Sequence, residues 1–226
     1  MKIVISHGSG GIGSAETFAR DFFESKGYDV HLIDYFTPHG IKNLWWSDGD
    51  LQDAHDITFN EMADVEFPEG DIVHIGFSLG GFLGLINHER FIKNYLFYPG
   101  VQGITQELLD KDYSNAVVIA GTEDNGQNKY NIFKDMCKQP PPIHYSLAGA
   151  HHAFMIENID RSFDMVRYGN LGKVMDQEEF NQLKPNHKYL SERYGHTTQP
   201  ATLKFNKEFR QQYLTMIDED IREYNT

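Results

Sequence analysis

The chain carries a single cysteine, Cys137, in 226 residues. A lone thiol excludes an intramolecular disulfide and any zinc centre that needs two or more cysteine ligands. Positive charge is also scarce: 20 Lys and Arg stand against 33 Asp and Glu, for a formal charge of −13. Nucleic acid and anionic membrane surfaces both require a basic footprint, so neither is expected as a partner. Long apolar runs are missing. A secretory signal needs about 7–15 apolar residues and a membrane span about 20; the N-terminal run is only Ile3-Val4-Ile5. A soluble, cytoplasmic protein is expected.

What is present is an alternation of short apolar runs and helix-like segments. Residues 2–6, 29–35, 71–77, 95–98, 116–120 and 143–147 read as strands. Their β-branched, nearly unbroken apolar character suits strands covered on both faces. Ala15, Phe18, Ala19 and Phe22 lie at helical spacing between the first two strands, and Gly27 follows as a C-terminal cap. This βαβαβ order predicts a mostly parallel sheet with helices on both faces. A further helix is expected at 51–62, beyond Trp45 and Trp46, whose default role is core packing. Residues 155–200 are polar and irregular and read as a helix-rich insertion. Phe205, Phe209, Tyr213, Met216 and Ile221 then mark an amphipathic C-terminal helix over 201–224. With no repeat or linker in view, 1–226 reads as one domain.

Two chemistries compete for the motifs. Gly76-Phe77-Ser78-Leu79-Gly80 fits G-x-S-x-G, follows an apolar run and opens a helix-like stretch. That is the setting of a nucleophile elbow, where a sharp strand-to-helix turn exposes a serine hydroxyl at a helix N-terminus. Against it stands Gly8-Ser9-Gly10-Gly11-Ile12-Gly13, a G-x-G-x-x-G after the first strand. With Asp34 ending the second strand and Tyr130 and Lys134 forming a Y-x-x-x-K, an NAD(P)-dependent Rossmann-type oxidoreductase is the rival reading. The same glycines also fit an H-G-x-G-G loop, His7 to Gly11, whose backbone N–H groups form half of an oxyanion hole. The loop is compatible with both.

Residues elsewhere decide. A serine nucleophile needs a base, and the base an orienting carboxylate, in the chain order Ser, Asp or Glu, His for hydrolases of this type. Glu123 and Asp124 follow the strand at 116–120, and His151 and His152 follow the strand at 143–147. Both pairs fall past strand C-termini, where open α/β sheets form their sites. The dehydrogenase reading needs a serine about a dozen residues before Tyr130, where Val117 and Val118 stand. It also leaves the elbow unexplained, so the hydrolase reading prevails. The remaining histidines form no H-E-x-x-H or comparable metal pattern.

Together these segments resemble the dienelactone hydrolase family of the α/β-hydrolase superfamily, over most of residues 1–154. The resemblance rests on the loop at 7–11, on Asp34-Tyr35-Phe36-Thr37-Pro38-His39-Gly40, on the elbow, on Phe97-Tyr98-Pro99-Gly100, on the acid loop at 121–124, and on Ala150 to Phe154. It implies an α/β-hydrolase fold and catalytic Ser78, Asp124 and His152, the second histidine of its pair. It implies an oxyanion hole from the backbone N–H groups of Leu79 and Ser9. No cofactor or metal is implied, and the substrate would be a small ester or lactone. The best-known members carry cysteine at the elbow, whereas this chain has Ser78, which favours a general esterase. His39 stands where a related branch carries arginine. A non-catalytic binding protein on the same fold is the other alternative.

Overall fold

The computed structural model describes residues 1–44, 62, 64–101, 104–124, 128–168 and 196–224. Trp45, Trp46 and the helix expected at 51–62, Met62 apart, lie outside the described residues. The strands are β1 (Lys2–Ser6), β2 (Asp29–Ile33), β3 (Ile72–Phe77), β4 (Lys93–Phe97), β5 (Ala116–Gly121) and β6 (Ile143–Leu147). They form one sheet in the order β2-β1-β3-β4-β5-β6, every neighbouring pair parallel. The connecting helices are α1 (Ser14–Glu24), α2 (Leu79–Ile86), α3 (Gln106–Asp110) and α4 (Asn128–Met136), and α5 (Lys207–Tyr224) follows at the C-terminus.

Strand side chains alternate between two cores, as a period of two requires. Ile3, Ile5, Ile75, Tyr95, Phe97, Val117 and Ile119 pack with Ala15, Ala19 and Phe23 of α1 and Leu214, Ile217 and Ile221 of α5. Leu96, Ala116, Val118 and Ala120 pack on the other face with α2, α3 and α4, including Leu83, Leu108, Tyr130 and Phe133. Both faces are therefore covered, and this is why the strands read as nearly continuous apolar runs.

The strand order reverses at β1. The chain leaves β1 for β2 on one side and returns to β3 on the other, so the loops after β1 and β3 diverge and leave a crevice at their C-terminal ends. Helix α2 is pressed hard against this point. A Cβ on Gly80 would lie 2.3 Å from the Ser6 carbonyl oxygen, and one on Gly76 would lie 2.3 Å from the Gly80 oxygen. Only glycine permits that approach.

Beneath α2 runs a fully buried polar network. His74 Nδ1 lies 2.7 Å from Asn94 Oδ1, while Asn94 Nδ2 donates to the Gly84 oxygen at 2.9 Å. The Asn94 oxygen must accept, so the ring proton sits on Nδ1 and Nε2 accepts from the Ser6 hydroxyl at 2.7 Å. Burial, opposed by the Asn94 bond, lowers His74 from its ordinary 6.5 to about 4. Between those values the unfolded chain takes up a proton that the folded chain refuses, so stability present above the upper value is lost as pH falls. From about pH 7.5 to about pH 4.5 the loss from this group is on the order of 2–3 kcal/mol. Urea unfolding at both pH values, compared with His74→Gln, isolates it; equal losses in the two proteins would exonerate His74.

The segment expected to be a helix-rich insertion differs at both ends. Asp160–Tyr168 (β7) and His196–Lys204 (β8) pair antiparallel, from Asp160 opposite Lys204 to Tyr168 opposite His196. The C-terminal helix consequently begins at Lys207 rather than 201. No helix among the described residues is long and apolar enough to cross a membrane.

Candidate active site

Ser78 ends the turn out of β3 and caps α2 with φ 51° and ψ −105°. A left-handed φ on a serine costs on the order of 1–3 kcal/mol, and the neighbouring backbone holds it. The Ser78 N–H donates to the Phe97 oxygen (2.9 Å), and the Ser78 oxygen accepts from the Gly100 N–H (2.8 Å). The loop after β1 crosses the same turn, where a Cβ on Gly8 would lie 3.3 Å from Ser78 Cβ.

The predicted partners converge on this serine from two other strand ends. His152 Nε2 lies 3.0 Å from Ser78 Oγ, and His152 Nδ1 lies 2.8 Å from Asp124 Oδ2. The Asp124 side chain is fully buried, while that of His152 is 20% exposed, so one end of the relay is dry and the other open. Glu123, the competing carboxylate, is exposed, and among the described residues its side chain bonds Thr122 at 3.5 Å. His151 does not enter the relay. Among the described residues no internal acceptor meets the backbone N–H of Leu79 or Ser9, the two groups assigned to the oxyanion hole.

The histidine is held from directions that the sequence did not announce. The Tyr98 ring packs on it with centroids 4.8 Å apart, and Tyr98 itself has φ 38°. The residue after the histidine, Ala153, is also left-handed at φ 62°. From the far side, the end of β8 pins the loop: Lys204 N–H donates to the His152 oxygen (3.2 Å) and Asn206 N–H to the Phe154 oxygen (2.9 Å). Thus the segment at 196–204 supports the site through its backbone.

The residues of the rival reading behave otherwise. Asp34 closes its own turn, accepting from the N–H groups of Phe36 (3.0 Å) and Thr37 (2.9 Å). Burial pushes its pKa up, but hydrogen bonds from Thr37 and Phe36 outweigh it and leave the carboxyl below the usual range. Tyr130 is buried in the core under α4, and burial drives its pKa well up. Cys137 is half-buried, and burial pushes its thiol up to about 12, away from the thiolate. Among the described residues no group of three or more His, Cys, Asp or Glu is placed to hold a metal ion.

With this geometry in view, the chain can be set beside known proteins. It has the α/β-hydrolase fold: the mouse α/β hydrolase domain-containing protein 10 superimposes with a TM-score of 0.50 at 12% identity, over 99% of this chain and 90% of that one. A dienelactone hydrolase-like promiscuous phosphotriesterase from metagenomic libraries aligns at TM-score 0.49 and 15% identity, over 86% of this chain and 87% of that one. Est1E of Butyrivibrio proteoclasticus, solved with bound ferulic acid, aligns at 0.44 and 14%, over 70% and 83%. No protein-family model and no curated protein matches the chain. The fold implied by the motifs is thereby borne out.

Proposed function

We propose that this protein is a serine hydrolase that cleaves carboxylic esters or lactones of small substrates through an acyl-enzyme. The single observation that carries the reading is the unbroken relay from buried Asp124 through His152 to the strained Ser78, at 2.8 and 3.0 Å. A hydroxyl becomes nucleophilic when an adjacent base takes its proton, and the base works when a carboxylate holds its tautomer.

In this mechanism Ser78 Oγ attacks the substrate carbonyl carbon while His152 Nε2 takes the hydroxyl proton. Asp124 keeps the other ring proton on Nδ1 and stabilises the imidazolium. The carbonyl electron pair moves onto oxygen, which the N–H groups of Leu79 and Ser9 receive; one such donor is worth about 2.7–4 kcal/mol. The tetrahedral centre collapses, the leaving alkoxide takes the proton from His152, and Ser78 is left acylated. Water then adds to the acyl carbon as His152 accepts its proton. The second collapse releases the acid and restores Ser78. The reaction draws on these side chains and water alone, and an acidic surface gives anionic esters no electrostatic advantage.

A fluorophosphonate probe tests the reading directly. The wild-type protein is expected to be labelled at one residue, Ser78, as mapped by peptide mass spectrometry. His152→Ala should abolish labelling whereas His151→Ala should leave it. A folded protein that takes up no label would instead be a non-catalytic member of the fold.

A further inference from the structure

Glu16 is a carboxylate that the mechanism does not use, and it is 4% exposed. It sits in the first turn of α1, three residues beyond the helix N-cap Gly13. One oxygen, Oε2, accepts from the Gly13 N–H at 2.9 Å; a capping box accounts for that bond. The other, Oε1, accepts from the Gly8 N–H at 3.4 Å, eight residues back. Helix capping gives no reason for the second bond. It reaches across the loop to the residue where an added Cβ would lie 3.3 Å from Ser78 Cβ, immediately before Ser9.

The rest of the loop is fixed from other sides. The Gly8 oxygen accepts from the Gly11 N–H (3.1 Å) and from His7 Nδ1 (2.8 Å). The Ser9 oxygen accepts from the Leu44 N–H (2.7 Å), and Tyr35 donates its hydroxyl proton to the His7 oxygen. The Gly8–Ser9 peptide, which carries the Ser9 N–H, is thus held at its oxygen, and the His7–Gly8 peptide on which it turns is held at its oxygen by Tyr35 and at its N–H by Glu16. We propose that Glu16 is the positioning residue of the oxyanion loop, its two carboxylate oxygens spanning Gly8 and Gly13 so that the Ser9 N–H points at the reacting carbonyl. This role rests on the hydrolase reading of Ser78.

Two oxygens are needed because there are two donors. Glutamine has the same shape but offers one carbonyl oxygen and one NH₂ group, so Glu16→Gln sets a donor against one of the two N–H groups. The loop loses its hold on the His7–Gly8 N–H while every side chain of the relay remains. An oxyanion donor acts in the transition state alone, so its misalignment lowers kcat and spares KM. A displacement of about 1 Å can cost on the order of 100-fold.

The ionisable groups coupled to this carboxylate are Tyr35 after β2 and Tyr98 after β4, while His7 after β1 is coupled to Asp34 instead. Burial raises both tyrosines, which stay neutral while Glu16 titrates, and burial lowers His7. Burial also raises Glu16 itself, against the bonds from Gly13 and Gly8.

The test has two arms. In the wild-type protein, the amide resonances of Gly8 and Gly13 should titrate together, at a pH above the ordinary carboxylate range, and this shared step should vanish in Glu16→Gln. Kinetically, Glu16→Gln should lower kcat on a short-chain ester by about 10- to 100-fold with KM within about twofold. Glu16→Asp, too short to span both donors, should behave alike. A Gly8 amide that does not follow Gly13 overturns the role whatever the activity, and needs no variant. A destabilised Glu16→Gln with unchanged kcat reduces Glu16 to a helix cap. A wild type without hydrolysis or labelling overturns the hydrolase reading and this role with it, whereas an active wild type with unaltered variant kinetics overturns the role alone.

Discussion

Ser78→Ala is expected to stay folded and to lose turnover on a short-chain activated ester by on the order of 10⁶. The fold should survive because nothing in the packing depends on the hydroxyl. Alanine meets the same φ of 51° that serine already tolerates, and the Phe97 and Gly100 backbone bonds that hold the turn are untouched. Activity should not survive, because the oxygen removed is the one that forms the covalent bond. Residual catalysis would come from the oxyanion donors and substrate binding, about 10³–10⁴ over water in a comparable site. Initial rates of the two proteins, with circular dichroism to verify folding, decide the matter. Turnover within a few-fold of wild type would sink the acyl-enzyme proposal.

The second large effect belongs to the carboxylate. Asp124→Asn should lower kcat by about 10⁴. An amide keeps the size and the hydrogen bond but lets Nδ1 become an acceptor, which moves the ring proton to Nε2, where it blocks uptake from Ser78. It also removes the charge that offsets the imidazolium, and a fully buried side chain has no water to replace it. Glu123→Gln, in an exposed side chain bonded to Thr122, should change kcat by less than about twofold. A mild Asp124→Asn beside a severe Glu123→Gln would transfer the role to the neighbour.

The Asp124 and Glu123 pair shows how far a sequence can be read. Both carboxylates follow β5 and either could have faced the histidine on position alone, although the family resemblance named the second. The structure separates them by burial: the strand twist and the turn at Gly121 send one side chain inward and its neighbour to solvent. The order of Ser78, Asp124 and His152, and their placement after β3, β5 and β6, was legible because strand ends are marked by local apolar runs. The loop at 7–13 was not decidable locally, since glycines serve a phosphate and an oxyanion equally well. Its company decided it. In the fold Gly8 lies so close to Ser78 that an added Cβ would come within 3.3 Å of its Cβ, while Asp34 folds back on its own turn.

The two ends of the segment at 155–200 escape a local reading for a related reason. Its two ends form a ribbon, 160–168 against 196–204, because each supplies the other with backbone partners. Pairing across that distance leaves little local periodicity to detect. Glu16 had a weak signal, a glutamate three residues after a glycine at a helix start, but its bond to Gly8 had none.

By itself, then, the sequence determined the parallel sheet, the helices on its faces and the three side chains that its motifs nominate. Each rests on local pattern: apolar period, glycine at a sharp turn, polar residues just past strand ends. Only the tertiary structure decided which carboxylate is dry, which backbone groups pin the histidine, and what holds the loop beside the serine. Those depend on contacts between residues far apart in the chain, such as Glu123 with Ala150, His152 with Lys204 and Tyr98 with His152. The lone Cys137 shows the same contrast: its scarcity is a fact of sequence, its raised pKa a consequence of burial.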